Sequence, residues 1–266
     1  MKAIRFAHMS VGATLDRRAI AAPAPMDRAW AWGSATGRGV RVCIVDSGVQ
    51  PDHPLVGRRQ QFYTALEDGH WSVRPDDSGD VAGHGTACAT IIRRLAPDCE
   101  IVSVRVLAPD LRGNGDALLV ALEWAVREGY QLVNVSLSTR KLAFKERLHD
   151  LADEAYYSGV TLVSAAHNGP VNSYPWRFPS VISVGSHAVH DSEYIECNPD
   201  PPVDFFALGA QVPVGWPDGS IKHVSGNSFA TPHIAGLSAR VLERHSTFRT
   251  AQLKHVLSAV ADNHAM

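Results

Sequence analysis

Features that mark membrane-spanning and nucleic-acid-binding proteins are scarce in this sequence of 266 residues. No apolar run approaches the roughly 18 residues of a transmembrane helix, and no block of five or six like charges occurs. With 25 basic and 27 acidic residues, the formal net charge is only −2. We therefore expect neither a membrane nor a nucleic acid as a partner.

Cysteine is also scarce. The four cysteines are Cys43, Cys88, Cys99 and Cys197. They form no CxxC pair, the histidines form no HExxH motif, and a chain of this length needs no disulfide framework, so we expect reduced thiols and no metal centre. The amino-terminal segment, interrupted by Arg5 and His8, lacks the apolar core of a secretory signal. These absences predict a cytoplasmic location.

The sequence does contain an alternation of strand-like and helix-like segments. β-branched runs occur at 40–45, 101–107, 131–137, 160–165 and 181–184, and helical patterns lie at 84–95, 116–128 and 144–158. This order predicts a three-layer α/β fold, in which a central, mainly parallel, twisted sheet carries helices on both faces. We expect loops and short antiparallel pieces after residue 184, and a last helix from Thr231 to about Glu243. The length favours one domain, residues 30–266, after an amino-terminal arm of residues 1–29.

Three segments place a reactive side chain beside glycine, where the backbone can turn sharply and present it. They are Asp46-Ser47-Gly48, Gly83-His84-Gly85-Thr86 and Ser225-Gly226-Asn227-Ser228. A serine hydroxyl is a poor nucleophile until a base removes its proton, so these residue types together suit nucleophilic catalysis. Each residue alone could instead be a helix cap, a strand-end cap or a core histidine.

In this chain order and with these neighbours, the three segments resemble the subtilisin-like serine proteases, the subtilases. Further matches lie at Gly37–Val40, Val133–Leu137, Ser164–Gly169 and Phe178–Val181. The resemblance covers about residues 30–245, and it implies a subtilisin-like fold and a compact, intracellular type of serine endopeptidase without a prodomain.

The resemblance also implies a role for each reactive residue. Ser228 would be the nucleophile, His84 its general base and Asp46 the carboxylate that orients the base. Asn168 would donate the side-chain amide of the oxyanion hole. Asn227 departs from the family, because relatives carry there a threonine whose hydroxyl assists the oxyanion.

Two further departures concern calcium and the prodomain. The link over residues 93–100 is shorter than the calcium-binding loop of secreted relatives, so we predict that this site is absent. Loop carbonyls around 178–181 and 191–193 leave a weak structural calcium or sodium site open, but no cofactor is expected to be required. Only 45 residues precede Asp46, fewer than a long inhibitory propeptide needs.

A peptide or protein substrate would bind, as in relatives, as a strand added to exposed edges. The implied substrate-binding residues are Asn114, Gly115, Ser136, Leu137, Ser138, Ala165, Ala166 and Ser173. The leading hypothesis is a cytosolic processing protease, for example one that removes leader or precursor peptides. A peptide ligase or macrocyclase with the same triad, and a non-catalytic peptide-binding pseudoprotease, stay open as alternatives, and so does a regulatory partner.

Overall fold

The computed structural model describes residues 26–57 and 60–263, so most of the predicted arm, residues 1–25, lies outside it. The strands are β1 (Arg41–Asp46), β2 (Gln60–Asp68), β3 (His70–Pro75), β4 (Glu100–Arg105), β5 (Leu132–Val135), β6 (Thr161–Ala165), β7 (Ile182–His187), β8 (Glu196–Cys197), β9 (Phe205–Leu208), β10 (Val212–Gly215) and β11 (Ile221–Val224). The helices are α1 (Arg28–Ala31), α2 (His84–Leu95), α3 (Gly115–Arg127), α4 (Lys145–Ser158), α5 (Asn227–Arg244) and α6 (Thr250–Ala259). None of these helices is long and apolar enough to cross a bilayer.

Within the described ranges, nine strands form one sheet in the order β3-β2-β4-β1-β5-β6-β7-β9-β8. The seven strands from β2 to β9 in this order pair in parallel, while β3 and β8 add an antiparallel strand at each edge. A separate antiparallel hairpin joins β10 to β11. The predicted mainly parallel sheet is confirmed.

The central strand β1 shows why the sheet has a core on each face. Val42 and Ile44 pack into the core built with α2, α5 and α6, whereas Cys43 and Val45 pack into the core built with α3 and α4. All four side chains are fully buried. Alternate residues of a strand point to opposite faces, so a continuous apolar run fits a strand buried on both sides. The three-layer architecture is confirmed.

The last predicted helix differs from the structure at its start. The prediction began it at Thr231, but α5 begins at Asn227, so Ser228 lies in its first turn and Pro232 lies inside the helix. Proline usually breaks a helix interior because it has no N–H for the carbonyl four residues earlier. That carbonyl belongs here to Ser228, and it accepts a hydrogen bond from outside the helix, as described below.

Three parts of the fold were not predicted correctly. The hairpin of β2 and β3 was missed because its burial pattern does not alternate cleanly, although Asp68-Gly69 at its turn is a typical hairpin signal. The segment after residue 184 contains the expected antiparallel pieces, β8, β10 and β11, but β9 joins the main sheet in parallel with β7. Helix α6 was also missed.

Candidate active site

The carboxyl ends of three adjacent parallel strands bring the predicted catalytic segments together. β1 ends at Asp46, β5 leads into Ser136, and β6 leads towards Asn168. This edge is where parallel α/β sheets bind ligands. His84 is the first residue of α2 and Ser228 the second residue of α5, so both helices contribute their first turns.

Asp46 and His84 form a close, buried pair. The His84 Nδ1 atom lies 2.8 Å from Asp46 Oδ1 and 2.9 Å from Oδ2. Because a carboxylate can only accept, Nδ1 carries the proton and Nε2 is left as the basic nitrogen. Asp46 Oδ1 also accepts from the Ser47 backbone N–H at 2.7 Å. The Phe229 ring packs 4.9 Å from the imidazole, centroid to centroid, and restricts its rotation.

The electrostatic environment strengthens His84 as a base. Burial by itself would lower the pKa of His84, but the adjacent Asp46 carboxylate raises it, and the resulting pKa lies well above the ordinary 6.5. A proton taken up by the ring is therefore held as an imidazolium paired with a buried carboxylate. This is the charge state that a general base passes through during catalysis.

The Ser228 hydroxyl and the Asn168 amide converge beside Gly226. The φ of Gly226 is +150°, in the range that favours glycine, and a Cβ there would lie 3.5 Å from both Asn168 Nδ2 and Ser228 Oγ. The Asn227 backbone N–H donates to Asn168 Oδ1 at 2.8 Å, which fixes the orientation of the amide. Amide and first-turn N–H groups are the donors that an oxyanion requires.

Pro232 accounts for the way Ser228 is anchored. Proline lacks an N–H, so it gives no helical hydrogen bond to the Ser228 carbonyl. Instead, Ser136 Oγ donates to that carbonyl at 2.9 Å, and Asn134 Nδ2 donates to Ser136 Oγ at 2.9 Å. Thr231 Oγ1 donates to the Asn227 carbonyl at 2.9 Å. Ser228 is thus tied to the end of β5 through its own backbone.

Asn227 has a structural task that its sequence position did not reveal. Its Nδ2 group donates to the carbonyls of Ala166 at 3.1 Å and His167 at 3.3 Å, and its Oδ1 accepts from Ser186 Oγ at 2.7 Å. The side chain therefore clamps the loop that carries Asn168 against α5. Both ends of its amide are used by these contacts, so Asn227 Nδ2 is not free to donate to an oxyanion.

Cys88 lies directly behind the Asp46–His84 pair. Its Sγ is 3.8 Å from Asp46 Oδ2 and 3.5 Å from Ser136 Oγ. Burial raises the pKa of the Cys88 thiol and the Asp46 carboxylate raises it further, so the thiol stays protonated. Asp46, His84 and Cys88 also lie close enough together to share a metal ion. Such binding would have to break the Asp46–His84 hydrogen bond.

A pocket of about 240 Å³ opens beside Ser228. Its walls are Ser136, Leu137, Ser138, Ala165, Ala166, His167, Asn168 and Ser228. Five of the eight predicted substrate-binding residues thus line it. Asn114 and Gly115 line a neighbouring pocket of about 110 Å³, which shares Leu137 and Ser138 with the first.

One predicted wall residue lies behind the pocket rather than in it. Ser173 is fully buried, and its hydroxyl accepts from Ser138 Oγ at 2.9 Å and from Trp176 Nε1 at 2.8 Å. It supports the wall from behind, so the expected contact between Ser173 and the substrate is wrong. His167, directly before Asn168, does line the pocket with an exposed side chain.

Positively charged side chains lie at both regions considered for a weak calcium or sodium site. Lys254 Nζ donates to the Pro179 carbonyl at 2.9 Å and pairs with Asp204, so a lysine ammonium already occupies one group of oxygens. The Glu193 carboxylate pairs with Arg240 in the other region. The link between α2 and β4 spans only residues 96–99.

Similar known proteins include subtilisins and subtilisin-like proteases. Subtilisin E of Bacillus subtilis (strain 168) is 29% identical over 246 residues, which cover 85% of this chain but 61% of that protein, so the chain spans about three fifths of this relative. A cold-adapted subtilisin-like serine proteinase superposes with a TM-score of 0.69 at 28% identity, covering 86% of both chains. A lanthipeptide protease shares the fold, with a TM-score of 0.72 at 24% identity, over 87% of this chain and 82% of that one. The family model described as "Subtilase family" matches residues 37–265, and the chain therefore belongs to the subtilase family.

Proposed function

We propose that this chain cleaves peptide bonds as a serine endopeptidase, through an acyl-enzyme on Ser228. The observation that carries the proposal is the buried Asp46–His84 pair, with Nδ1 to carboxylate distances of 2.8 and 2.9 Å, at the edge where Ser228 and Asn168 converge. Membership of the subtilase family supports the same reaction.

The first half of the reaction forms the acyl-enzyme. His84 Nε2 takes the proton from Ser228 Oγ, which attacks the carbonyl carbon of the scissile bond. Asn168 Nδ2 and the Ser228 backbone N–H stabilise the negative charge on the carbonyl oxygen. His84 then gives the proton to the leaving amine, while Asp46 keeps the ring in one tautomer.

The second half returns the enzyme to its starting state. Water enters in place of the amine and loses a proton to His84 Nε2 as it attacks the acyl carbon. The Ser228 oxygen leaves and regains the proton, so one water is consumed for each bond cleaved. Nucleophile, base and oxyanion donors all come from this chain, and we propose that the reaction requires no cofactor.

The finer role that we propose is processing of particular peptides or proteins in the cytoplasm. The substrate would lie along residues 136–138, with the side chain before the scissile bond in the 240 Å³ pocket. A cytoplasmic location is consistent with Cys43, Cys88, Cys99 and Cys197 all being free thiols.

The proposal is tested by incubating the purified protein with a mixed-sequence peptide library and identifying products by mass spectrometry. We expect fragments whose summed masses exceed the parent by one water, and no such fragments from Ser228→Ala. Ser225→Ala removes a nearby hydroxyl that binds Gln211 N and is the matched control, expected to cleave normally. Cleavage that persists in Ser228→Ala would refute the assignment, and cyclic or joined products would favour ligation.

A further inference from the structure

The loop between β3 and α2 contains a carboxylate with an unusually complete set of hydrogen bonds. Asp80 Oδ1 accepts from Ser47 Oγ at 2.7 Å, from Ala82 N at 3.0 Å and from Gly83 N at 2.7 Å. Asp80 Oδ2 accepts from Thr86 N at 2.7 Å and from Thr86 Oγ1 at 2.6 Å. The Asp80 carboxylate thus accepts five hydrogen bonds, from residues that precede and follow His84 in the sequence.

These contacts replace the cap that α2 otherwise lacks. The N-cap residue of α2 is Gly83, which has no side chain to offer, and its φ is +87°. A Cβ at this position would lie 2.3 Å from the Trp216 ring, so no residue that could cap by itself fits there. Asp80 satisfies first-turn N–H groups from outside the helix, and its negative charge is favoured at a helix N-terminus.

The same carboxylate is linked to the end of β1. Ser47, which donates to Asp80, accepts from the Gly85 backbone N–H at 3.0 Å, and its own N–H donates to Asp46 Oδ1 at 2.7 Å. The chain segments that carry Asp46 and His84 are therefore held together through Ser47 and Asp80. A Cβ on Gly85 would lie 2.0 Å from the Gly48 carbonyl, which shows how closely the two segments approach.

We propose that Asp80, acting through Ser47 and the backbone of residues 83–86, is a positioning residue that sets the Asp46–His84 geometry. The inference rests on the proposed function, since it assigns Asp80 to the same catalytic pair. Asp80 does not touch the substrate. It fixes the backbone position from which the His84 side chain extends. The 2.8 Å hydrogen bond from His84 Nδ1 to Asp46 Oδ1 loses strength when the ring shifts or tilts.

The titration of His84 is the property that separates positioning from simple stabilisation of the helix. Two elements bring titratable groups to His84, Asp46 from β1 and Cys88 from α2, while α5 contributes the Phe229 ring and Asp80 contacts the backbone on either side of His84. Because the Asp46 carboxylate raises the pKa of His84, a looser Asp46 contact lowers that pKa. A variant that merely unfolds more easily leaves that pKa unchanged in its folded molecules.

The test is Asp80→Asn, which keeps the shape but replaces one acceptor oxygen with an amide NH2 group facing the Thr86 donors. We expect kcat to fall at least tenfold with KM within about twofold of wild type, and the acid limb of kcat/KM to move to lower pH. Ser47→Ala removes the hydroxyl that joins the end of β1 to Asp80 and to the Gly85 N–H, and it should lower kcat and the pH of the acid limb by smaller amounts. It serves if Asp80→Asn does not fold.

The matched control is Asp76→Asn in the same loop. Asp76 pairs with Arg105 at 2.9 Å and with Ser78, away from His84, so its loss should lower the melting temperature without moving the acid limb. A wild-type acid limb in both Asp80→Asn and Ser47→Ala would overturn the proposal. NMR titration of His84 in wild type and variants gives the same answer without a substrate, so failure of the positioning role is distinguishable from failure of the protease assignment.

Discussion

Two side chains of the proposed catalytic group, Asn168 and Ser228, owe their positions to neighbours that perform no chemistry. Asn168 is held by the backbone N–H of Asn227, and the loop that carries it is clamped by the Asn227 side chain. Ser228 is held through its carbonyl by Ser136, because Pro232 supplies no helical donor. At the scale of single residues, precision comes from hydrogen bonds between side chains and the backbone beside the reactive groups.

Asn168→Ala tests the oxyanion assignment. We expect kcat to fall about 100- to 1000-fold, equivalent to about 3–4 kcal/mol, with little change in KM, because the donor acts on charge that develops in the transition state; this is the loss known for such a donor in a subtilisin. Steady-state kinetics on one peptide substrate gives the values. Asn172→Ala, which removes a contact to Arg177, is the matched control. An unchanged kcat in Asn168→Ala would show that the amide does not contact the oxyanion.

The pH dependence of activity follows from the charge state of His84. The ring must be neutral to accept the Ser228 proton, and its pKa lies well above 6.5, so kcat/KM should rise with pH through a limb above pH 6.5. An acid limb at or below pH 6.5 would mean that Asp46 does not raise the pKa. Asp46→Asn should move the limb down in pH while greatly reducing kcat.

The same raised pKa has a consequence for stability. A histidine with a raised folded-state pKa stabilises the fold fully below its unfolded pKa, near 6.5, and loses that contribution as pH rises through the folded pKa. The difference in unfolding free energy between wild type and Asp46→Asn should therefore be larger at pH 6 than at high pH. Denaturant unfolding at both pH values measures it.

At the scale of elements, helix α5 carries a second pH-sensitive group. His233 is fully buried, its ring nitrogen Nδ1 bonds to the Phe229 carbonyl at 2.9 Å, and Nε2 has no hydrogen-bond partner among the described residues. Burial lowers the pKa of His233 from 6.5 to about 4. Because the unfolded chain binds this proton more readily, stability should fall as pH drops from about 6.5 to 4.

His233→Leu removes this titration. Since a pKa difference of one unit corresponds to about 1.4 kcal/mol, wild type should lose about 3 kcal/mol relative to the variant between pH 7 and pH 4. Urea unfolding of both proteins at the two pH values measures the change, whatever the variant's stability at pH 7. If wild type and His233→Leu differ in unfolding free energy by the same amount at pH 7 and pH 4, His233 protonates equally well in the folded and the unfolded chain.

Elements with a strong local pattern could be predicted, and elements defined by tertiary contacts could not. The helix at His84–Leu95 and the buried strand β1 follow from periodicity and glycine punctuation. The early start of α5 could not be predicted, because it depends on Ser136, distant in sequence, satisfying the Ser228 carbonyl. The burial of Ser173 could not be predicted for a similar reason. Its hydroxyl is covered by Ser138 and Trp176, and only the packed structure shows these contacts.

The candidate site divides in the same way. Asp46, His84, Asn168 and Ser228 were named from motifs, and the fold brings them to one edge of the sheet. The roles of Asp80 and Asn227 were hidden, because a hydrogen-bond acceptor for five donors looks in sequence like any loop aspartate. Motifs identify the groups that react, whereas the residues that aim them emerge from the contacts.

At the scale of the whole molecule, two apolar cores on opposite faces of one sheet support the site. The core with α2 and α5 fixes the helices that carry His84 and Ser228, and the core with α3 and α4 supports β1, which ends at Asp46, and β5, which leads into Ser136. The site is therefore assembled from separate chain segments between residue 46 and residue 228, and no single segment contains it. A protein that folds as described should present an activated serine.

That central claim is tested most directly by labelling the purified protein with a fluorophosphonate, which reacts covalently with activated serines, and locating the adduct by mass spectrometry. The account predicts one adduct per molecule, on Ser228, absent from Ser228→Ala and strongly reduced in His84→Ala, in which the base is lost. A correctly folded wild-type protein that gains no adduct, or gains one on another residue, would contradict the account.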